Sequence, residues 1–179
     1  SPDSRYLTFA LKDVDREGDG YRWNLWLYDL ERRESRQITQ GDDQRKAVWE
    51  DNTHILYKTT EPDEALRARG FEEEWTVYHR LNVCTGEESE AFRLPMSVSG
   101  LWKMDEGRYV FTGETHLDRP NLLELTGEAL EKELVRRQQT KGYKVLTELP
   151  LCENGVGMFN QTRNTLFLYL EATGEYRRI

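Results

Sequence analysis

Three histidines, His54, His79 and His116, are the imidazoles available for proton transfer in this chain. Acyl-transfer chemistry of the serine–histidine–carboxylate kind needs a serine exposed on a strained turn, commonly inside Gly-x-Ser-x-Gly. No such segment occurs. Ser99-Gly100 lacks the preceding glycine and falls within an expected strand. His54 and His79 stand at places that other residues fill in sister repeats, so structural or surface roles are expected of them. No residue of the chain is therefore expected to be catalytic.

Metal and cofactor patterns fail at specific positions. Asp13-Val14-Asp15-Arg16-Glu17-Gly18 resembles the opening of a calcium loop, but the closing carboxylate belongs at the twelfth place, which is Asn24. An acidic turn between strands is expected there, with no metal. Gly155-Val156-Gly157 fails as a dinucleotide fingerprint because Asn160 occupies the last glycine place, and no cofactor is expected. Acidic residues abound, yet their number assigns no geometry for glycoside hydrolysis. Tryptophans 23, 26, 49, 75 and 102 could stack sugars or bases, but at strand positions they are expected in the core.

The elements that hold these residues repeat. Ser-Pro-Asp-Ser-Arg-Tyr-Leu-Thr-Phe (residues 1–9) returns as Trp-Glu-Asp-Asn-Thr-His-Ile-Leu-Tyr (49–57) and as Lys-Met-Asp-Glu-Gly-Arg-Tyr-Val-Phe (103–111). Asp3, Asp51 and Asp105 mark equivalent blade-turn positions, because a short polar side chain bonds nearby backbone and tightens the turn. After each Asp an alternating strand puts Leu7 and Phe9, Ile55 and Tyr57, or Tyr109 and Phe111 on one face. A second phrase follows each hairpin, running Leu25 to Glu34, Tyr78 to Glu87 and Leu166 to Glu175, with Thr-Gly-Glu in two copies. A short fourth strand comes after it.

Four antiparallel strands recurring at this interval predict an all-β chain, a partial β-propeller of about three four-stranded blades. The expected units are residues 1–40, lacking a first strand, residues 44–95, and residues 97–179 with an insertion at about 115–159. A β-sandwich also has many short strands, but gives no reason for one phrase to recur in order. Residues 61–74 are expected to be a solvated acidic excursion. Within the insertion, residues 127–139 predict a helix, with Thr126 as cap and Glu128–Lys132 and Glu133–Arg137 as pairs one turn apart. Leu130 and Leu134 give it a narrow apolar stripe.

The bulk numbers narrow the partners. The chain has 179 residues, with five Trp, nine Tyr and six Phe, so it has a core to fill. Its net charge of −8 argues against nucleic acid, since Arg32-Arg33, Arg136-Arg137 and Arg177-Arg178 all have acidic neighbours. No apolar run reaches membrane-spanning length and no signal peptide is visible. Cys84 and Cys152 lack metal-type spacing and read as free thiols of a reducing, cytoplasmic compartment. The start at Ser1-Pro2-Asp3, without Met, reads as a piece of something longer. About four to eight blades close a ring, so a partial ring is expected to self-associate through its open blade faces.

The Asp-headed repeat resembles those of the prolyl oligopeptidase family of serine peptidases, and also of TolB-like proteins. Residues 148–157, Glu-Leu-Pro-Leu-Cys-Glu-Asn-Gly-Val-Gly, with Arg163, Leu166-Phe167 and Thr173-Gly174-Glu175, are similar to the acylaminoacyl-peptidase-like branch. There a Leu/Ile-Pro, Asn-Gly-x-Gly-Phe, Arg and Leu-Tyr series precedes a Thr-Gly-Glu turn. Asn154, Gly155, Gly157 and Arg163 match, and Met158 stands where Phe is usual. The likeness is loose along most of the chain and close over residues 148–179. It implies a parent in which the propeller caps an α/β-hydrolase domain, missing here, that holds the triad and acts on peptides. Asn154, Gly155 and Arg163 would then face the shared substrate channel, where an arginine grips a carboxylate at two points. The alternative is a TolB- or WD-like scaffold for protein–protein interaction, whose acidic surface favours basic partners.

Overall fold

The structure, a computed structural model, describes residues 1–15, 20–41, 43–142, 151–153, 157–159 and 161–179. In chain order the elements are β1 (Tyr6–Asp15), β2 (Gly20–Asp29), β3 (Glu34–Gln37), β4 (Ala47–Trp49) and β5 (His54–Pro62). Then come α1 (Glu64–Arg67), β6 (Glu74–Asn82), β7 (Glu88–Leu94), β8 (Val98–Asp105) and β9 (Arg108–His116). A 3-10 turn (Leu122–Glu124), α2 (Gly127–Gln139), β10 (Leu151–Glu153) and β11 (Gly157–Phe159) lead into β12 (Thr162–Leu170) and β13 (Glu175–Arg178).

Three antiparallel sheets result, ordered β1-β2-β3, β4-β5-β6-β7 and β8-β9-β12-β13. β10 and β11 pair separately. The Asp-headed turn feeds the same strand each time. Asp3 Oδ1 accepts from the Arg5 amide at 3.2 Å, and Asp51 Oδ1 accepts from the Thr53 and His54 amides, both at 2.7 Å. Asp105 grips its own hairpin differently, taking Arg108 Nε at 2.6 Å, while Gly107 (φ 69°) makes the bend. One position thus serves one turn through two chemistries.

The second hairpin repeats more strictly. Arg33, Gly86 and Gly174 each donate an amide to the carbonyl four residues back, on Asp29, Asn82 and Leu170, at 2.8, 2.8 and 2.9 Å. All three have positive φ, 57°, 80° and 69°. Glycine takes that conformation without steric cost and arginine does not.

Alternation along the strands decides which sheet faces which. Leu25 and Leu27 of β2 pack on Ile55, Tyr57, Leu81 and Val83, sealing the first sheet to the second. The neighbouring residues Leu56 and Tyr78 point the other way, with Phe92 and Leu94, onto Leu101, Tyr109, Phe111, Phe167 and Tyr169 of the third. The middle sheet is buried on both faces. Each such side chain, taken fully from water, stabilises by roughly 1.5–3 kcal/mol.

The repeat keeps its alternation, but burial differs between copies. Leu7 and Phe9 match Ile55 and Tyr57 in the repeat, yet they are 55% and 36% exposed against 0% and 5%. Their face has no neighbouring sheet, so the pattern is kept while the burial is lost. The tryptophans, expected in the core, are at most partly buried. Trp102 is 52% exposed and the other four are half-buried, with Trp49 packed against the core between the first and second sheets.

The helix occupies the expected residues. Glu128–Lys132 and Glu133–Arg137 form at 2.7 and 3.0 Å, and Leu134 is buried. Thr126 stands at the cap position but its side chain makes no capping bond. The segment between β5 and β6 is not merely solvated. Asp63 caps α1, accepting from the Leu66 amide at 3.0 Å, and Leu66 is buried with Leu122 and Leu134. Arg69 holds Glu131 by two bonds of 2.7 Å, and Arg137 holds Glu73 at 2.7 Å. The third sheet's insertion therefore docks on the second sheet's excursion.

Candidate functional site

The hairpin register assigns two ends to the stack. Asp3, Asp51 and Asp105 lie at one end with the bends at Arg33, Gly86 and Gly174, which forms a face of tight turns. The long connections, β5 to β6 and β9 to β12, lie at the other end. Arg163 is on that loop face, opposite Thr115 in β9. Its side chain is exposed and its Nη1 donates to the Thr162 carbonyl at 2.9 Å. Asn154 and Gly155, expected beside it, lie outside the described residues. The calcium-like segment at residues 13–18 is likewise described only in part.

The loop face carries a cleft of about 780 Å³ between the insertion and the third sheet, lined by His116, Arg119, Glu73, Glu114 and Arg137 among others. Arg119 Nη2 donates to His116 Nε2 at 3.1 Å, so the proton sits on Nδ1, 3.2 Å from Thr162 Oγ1. Burial and then the Arg119 charge push the His116 pKa down, with Glu114, Asp118 and Glu73 opposing. The imidazole ties the end of β9 to the start of β12.

His79 is less isolated than its sequence position suggests. Its Nε2 lies 2.9 Å from Thr59 Oγ1, and its Nδ1 lies 3.4 Å from Glu88 Oε1. Hydroxyl, imidazole and carboxylate in line look like a triad. However, Tyr57 stacks on the ring at 5.3 Å, and Thr59 lines neither the loop-face cleft nor the one described next. A nucleophile also needs oxyanion donors aimed at a substrate position. The trio is read as a polar ladder across β5, β6 and β7.

A second cleft, about 340 Å³, opens at the leading edge of the sheets, where β4 and β8 approach each other. It is lined by β1, the chain before β4, Lys58 of β5, and residues 99–102 of β8. Lys58 is half-buried and donates to the Val98 carbonyl. Burial lowers its pKa, Asp43 opposes, and Lys46 and Arg45 add to the fall. Sequence reasoning missed this group because Arg45, Lys46 and Lys58 have no counterparts in the sister repeats, where Ala10 and Thr112 stand at the place of Lys58.

Among the described residues no group of three or more His, Cys, Asp or Glu is placed to hold a metal ion. Cys84 is free and exposed. No helix among the described residues is long and apolar enough to cross a membrane.

No protein-family model matches the chain, and no curated protein matches it in sequence. Solved structures do match. Acylaminoacyl peptidase from Pyrococcus horikoshii superposes with a TM-score of 0.61 at 11% identity, over 98% of this chain and 24% of that one. The chain's fold is similar to that of a stretch of this peptidase. An acylaminoacyl peptidase complexed with Z-Gly-Gly-Phe-chloromethyl ketone gives 0.60 at 8% identity, covering 98% of this chain and 24% of that one. The AtxE2 isopeptidase gives 0.58 at 14% identity, covering 100% and 28%. The chain is a partial β-propeller, and it spans about a quarter of the length of the acylaminoacyl peptidase structures it matches.

Proposed function

We propose that this propeller segment is the noncatalytic, gating part of a cytoplasmic serine peptidase of the acylaminoacyl or oligopeptidase type. The observation that carries the reading is the superposition on acylaminoacyl peptidase along 98% of the chain. The Asn154-Gly155-x-Gly157 and Arg163 pattern supports it from the sequence side. The work of the segment is steric: stacked sheets wall a narrow entry that passes short or unfolded peptides and turns folded proteins away. Catalytic groups come from the α/β-hydrolase partner domain.

Arg163, exposed on the loop face, is the described member of the proposed channel set. In the full-length parent, Arg163→Ala should lower kcat/KM for peptides bearing a carboxylate near the cleaved bond. Unchanged values for all peptides remove that role. The reading as a whole is tested by the coding sequence beyond Ile179. A Gly-x-Ser-x-Gly inside an α/β pattern supports the peptidase, and further blades ending at a stop codon support a TolB- or WD-like scaffold instead.

A further inference from the structure

His116 stands at a junction. It is the last residue of β9, it pairs across the ladder with Thr162, the first of β12, and the insertion leaves the sheet directly after it. Leu117 keeps one more backbone bond there, its amide donating to the Gln161 carbonyl at 2.8 Å. Beyond that bond the chain runs along the loop-face cleft, which Arg119, Pro120 and Asn121 line. What holds His116 therefore holds the root of the insertion.

The two ring nitrogens face different partners. Nδ1 lies 3.2 Å from Thr162 Oγ1. Nε2 lies near both a donor and an acceptor, Arg119 Nη2 at 3.1 Å and Glu114 Oε1 at 3.9 Å. A guanidinium has only protons to offer, so its bond requires a bare Nε2. An ionised carboxylate has only lone pairs, so a bond to it requires Nε2–H. The two bonds exclude each other, and one proton chooses between them. Arg119 is exposed and makes no ion pair among the described residues, so nothing else fixes it once the ring repels it.

We propose that His116 is a proton-operated latch at the root of the insertion. Neutral, it ties Arg119 to the end of β9; protonated, it releases Arg119 and turns Nε2–H toward Glu114. Histidine suits the task because its ordinary charge change falls within roughly pH 5 to 8. Burial and then the Arg119 charge favour the neutral ring, while Glu114 on its own strand, Asp118 on the insertion and Glu73 on the excursion favour the cation. Arg137 of α2 also lines the cleft, but Glu73 and Glu133 hold it. The latch is thus closed at neutral pH and opens in mild acid. Opening also exchanges charges in the cleft: Arg119 is freed for an anion as Glu114 is taken up by the ring.

The test is NMR of the 15N-labelled 179-residue chain across the range in which imidazole titrates. At neutral pH the His116 ring should carry its proton on Nδ1. Its midpoint should lie below 6.5. The amides of Leu117, Arg119 and Leu123 should shift with that same midpoint, while Leu101 and Phe111 in the core should not. Arg119→Ala should raise the midpoint, because it removes both a like charge and a bond that only the neutral ring accepts. Glu114→Gln, at an exposed position, should lower it. His116→Gln should abolish the pH-dependent shifts at residues 117–123.

A ring protonated on Nε2 at neutral pH overturns the latch, as does a ring that titrates while the amides of residues 117–123 stay flat. Midpoints that move in the same sense in the Arg119 and Glu114 variants, or do not move, overturn it too. So do shifts that persist in His116→Gln. The two exposed replacements decide the matter if His116→Gln does not fold, and none of these outcomes depends on the peptidase reading.

Discussion

Arg80 on β6 holds Glu50 at two points, Nε to Oε2 at 2.5 Å and Nη2 to Oε1 at 2.8 Å, and its Nη2 also reaches Glu171 in the next sheet at 2.7 Å. The Glu50 side chain is only 8% exposed, and it also accepts from the Tyr109 hydroxyl. Lys103 donates to the Glu50 carbonyl. The network ties the second sheet to the third at the turn face, where the apolar interface ends. Removing Arg80 leaves a shielded carboxylate with only the Tyr109 hydroxyl and the nearby Lys103 charge to compensate it. We predict that Arg80→Ala costs about 3–5 kcal/mol in denaturant unfolding. Glu171→Gln, at a more open site, should cost about 1 kcal/mol or less. Equal losses from the two would mean that the clamp does not act as drawn.

Acid should unpick the same face. Burial would raise the Asp51 pKa, but the Thr53 and His54 amides outweigh it and hold it at about 2. Glu50 is also held below its ordinary value: burial pushes it up, and the bonds from Arg80 and Tyr109 more than offset this. A lowered folded pKa contributes stability that is complete above the unfolded value and lost as pH falls through the folded one. Stability should therefore decline from about pH 4.5 toward pH 2. Glu50→Gln with Asp51→Asn should flatten that limb of the pH profile, whatever the change in absolute stability.

Arg33 occupies the left-handed position that glycine fills in the two sister turns. Its side chain is exposed, so replacement removes strain without removing packing. Arg33→Gly is expected to be neutral to stabilising, by up to about 1 kcal/mol. Gly86→Arg, the reverse change in the second sheet, should destabilise. Thermal midpoints of the pair would check both signs.

Two glycines under side chains should behave differently. A Cβ on Gly113 would collide with Met96 Sδ and meet the Phe111 ring at 3.2 Å, both inside the core. Gly113→Ala should cost about 1–3 kcal/mol through overpacking. Gly100→Ala displaces only the half-exposed Trp102, so tryptophan emission should change while the unfolding midpoint barely moves.

The end sheets leave apolar faces open, with Leu7 and Phe9 at one end and Trp102 and Met104 at the other. Contiguous apolar surface of this kind favours association. The isolated chain is predicted to self-associate, and Phe9→Glu to reduce it. Light scattering that reports a monomer at every usable concentration would rule this out.

Much of the fold is legible in the sequence. Asp3, Asp51 and Asp105 locate the hairpins because a turn and its following alternation are local: they involve bonds within a few residues. The helix at residues 127–139 is readable for the same reason, since its charge pairs are one turn apart. The Arg80–Glu50–Glu171 clamp and the Arg45, Lys46 and Lys58 cluster left no trace in the pattern. Each member occurs in one repeat alone, and its partner lies up to 91 residues away.

The amino-acid order alone determined the strand series, the turn positions and the helix bounds, because backbone propensity and alternation act over short spans. Tertiary structure decided which alternate face is buried. It left Leu7 and Phe9 exposed while burying Ile55 and Tyr57, placed Arg163 at the end opposite the Asp turns, and gathered lysines into a cleft. Those outcomes depend on which sheet stands next to which. Stacking is a relation between distant segments, and no single repeat carries it.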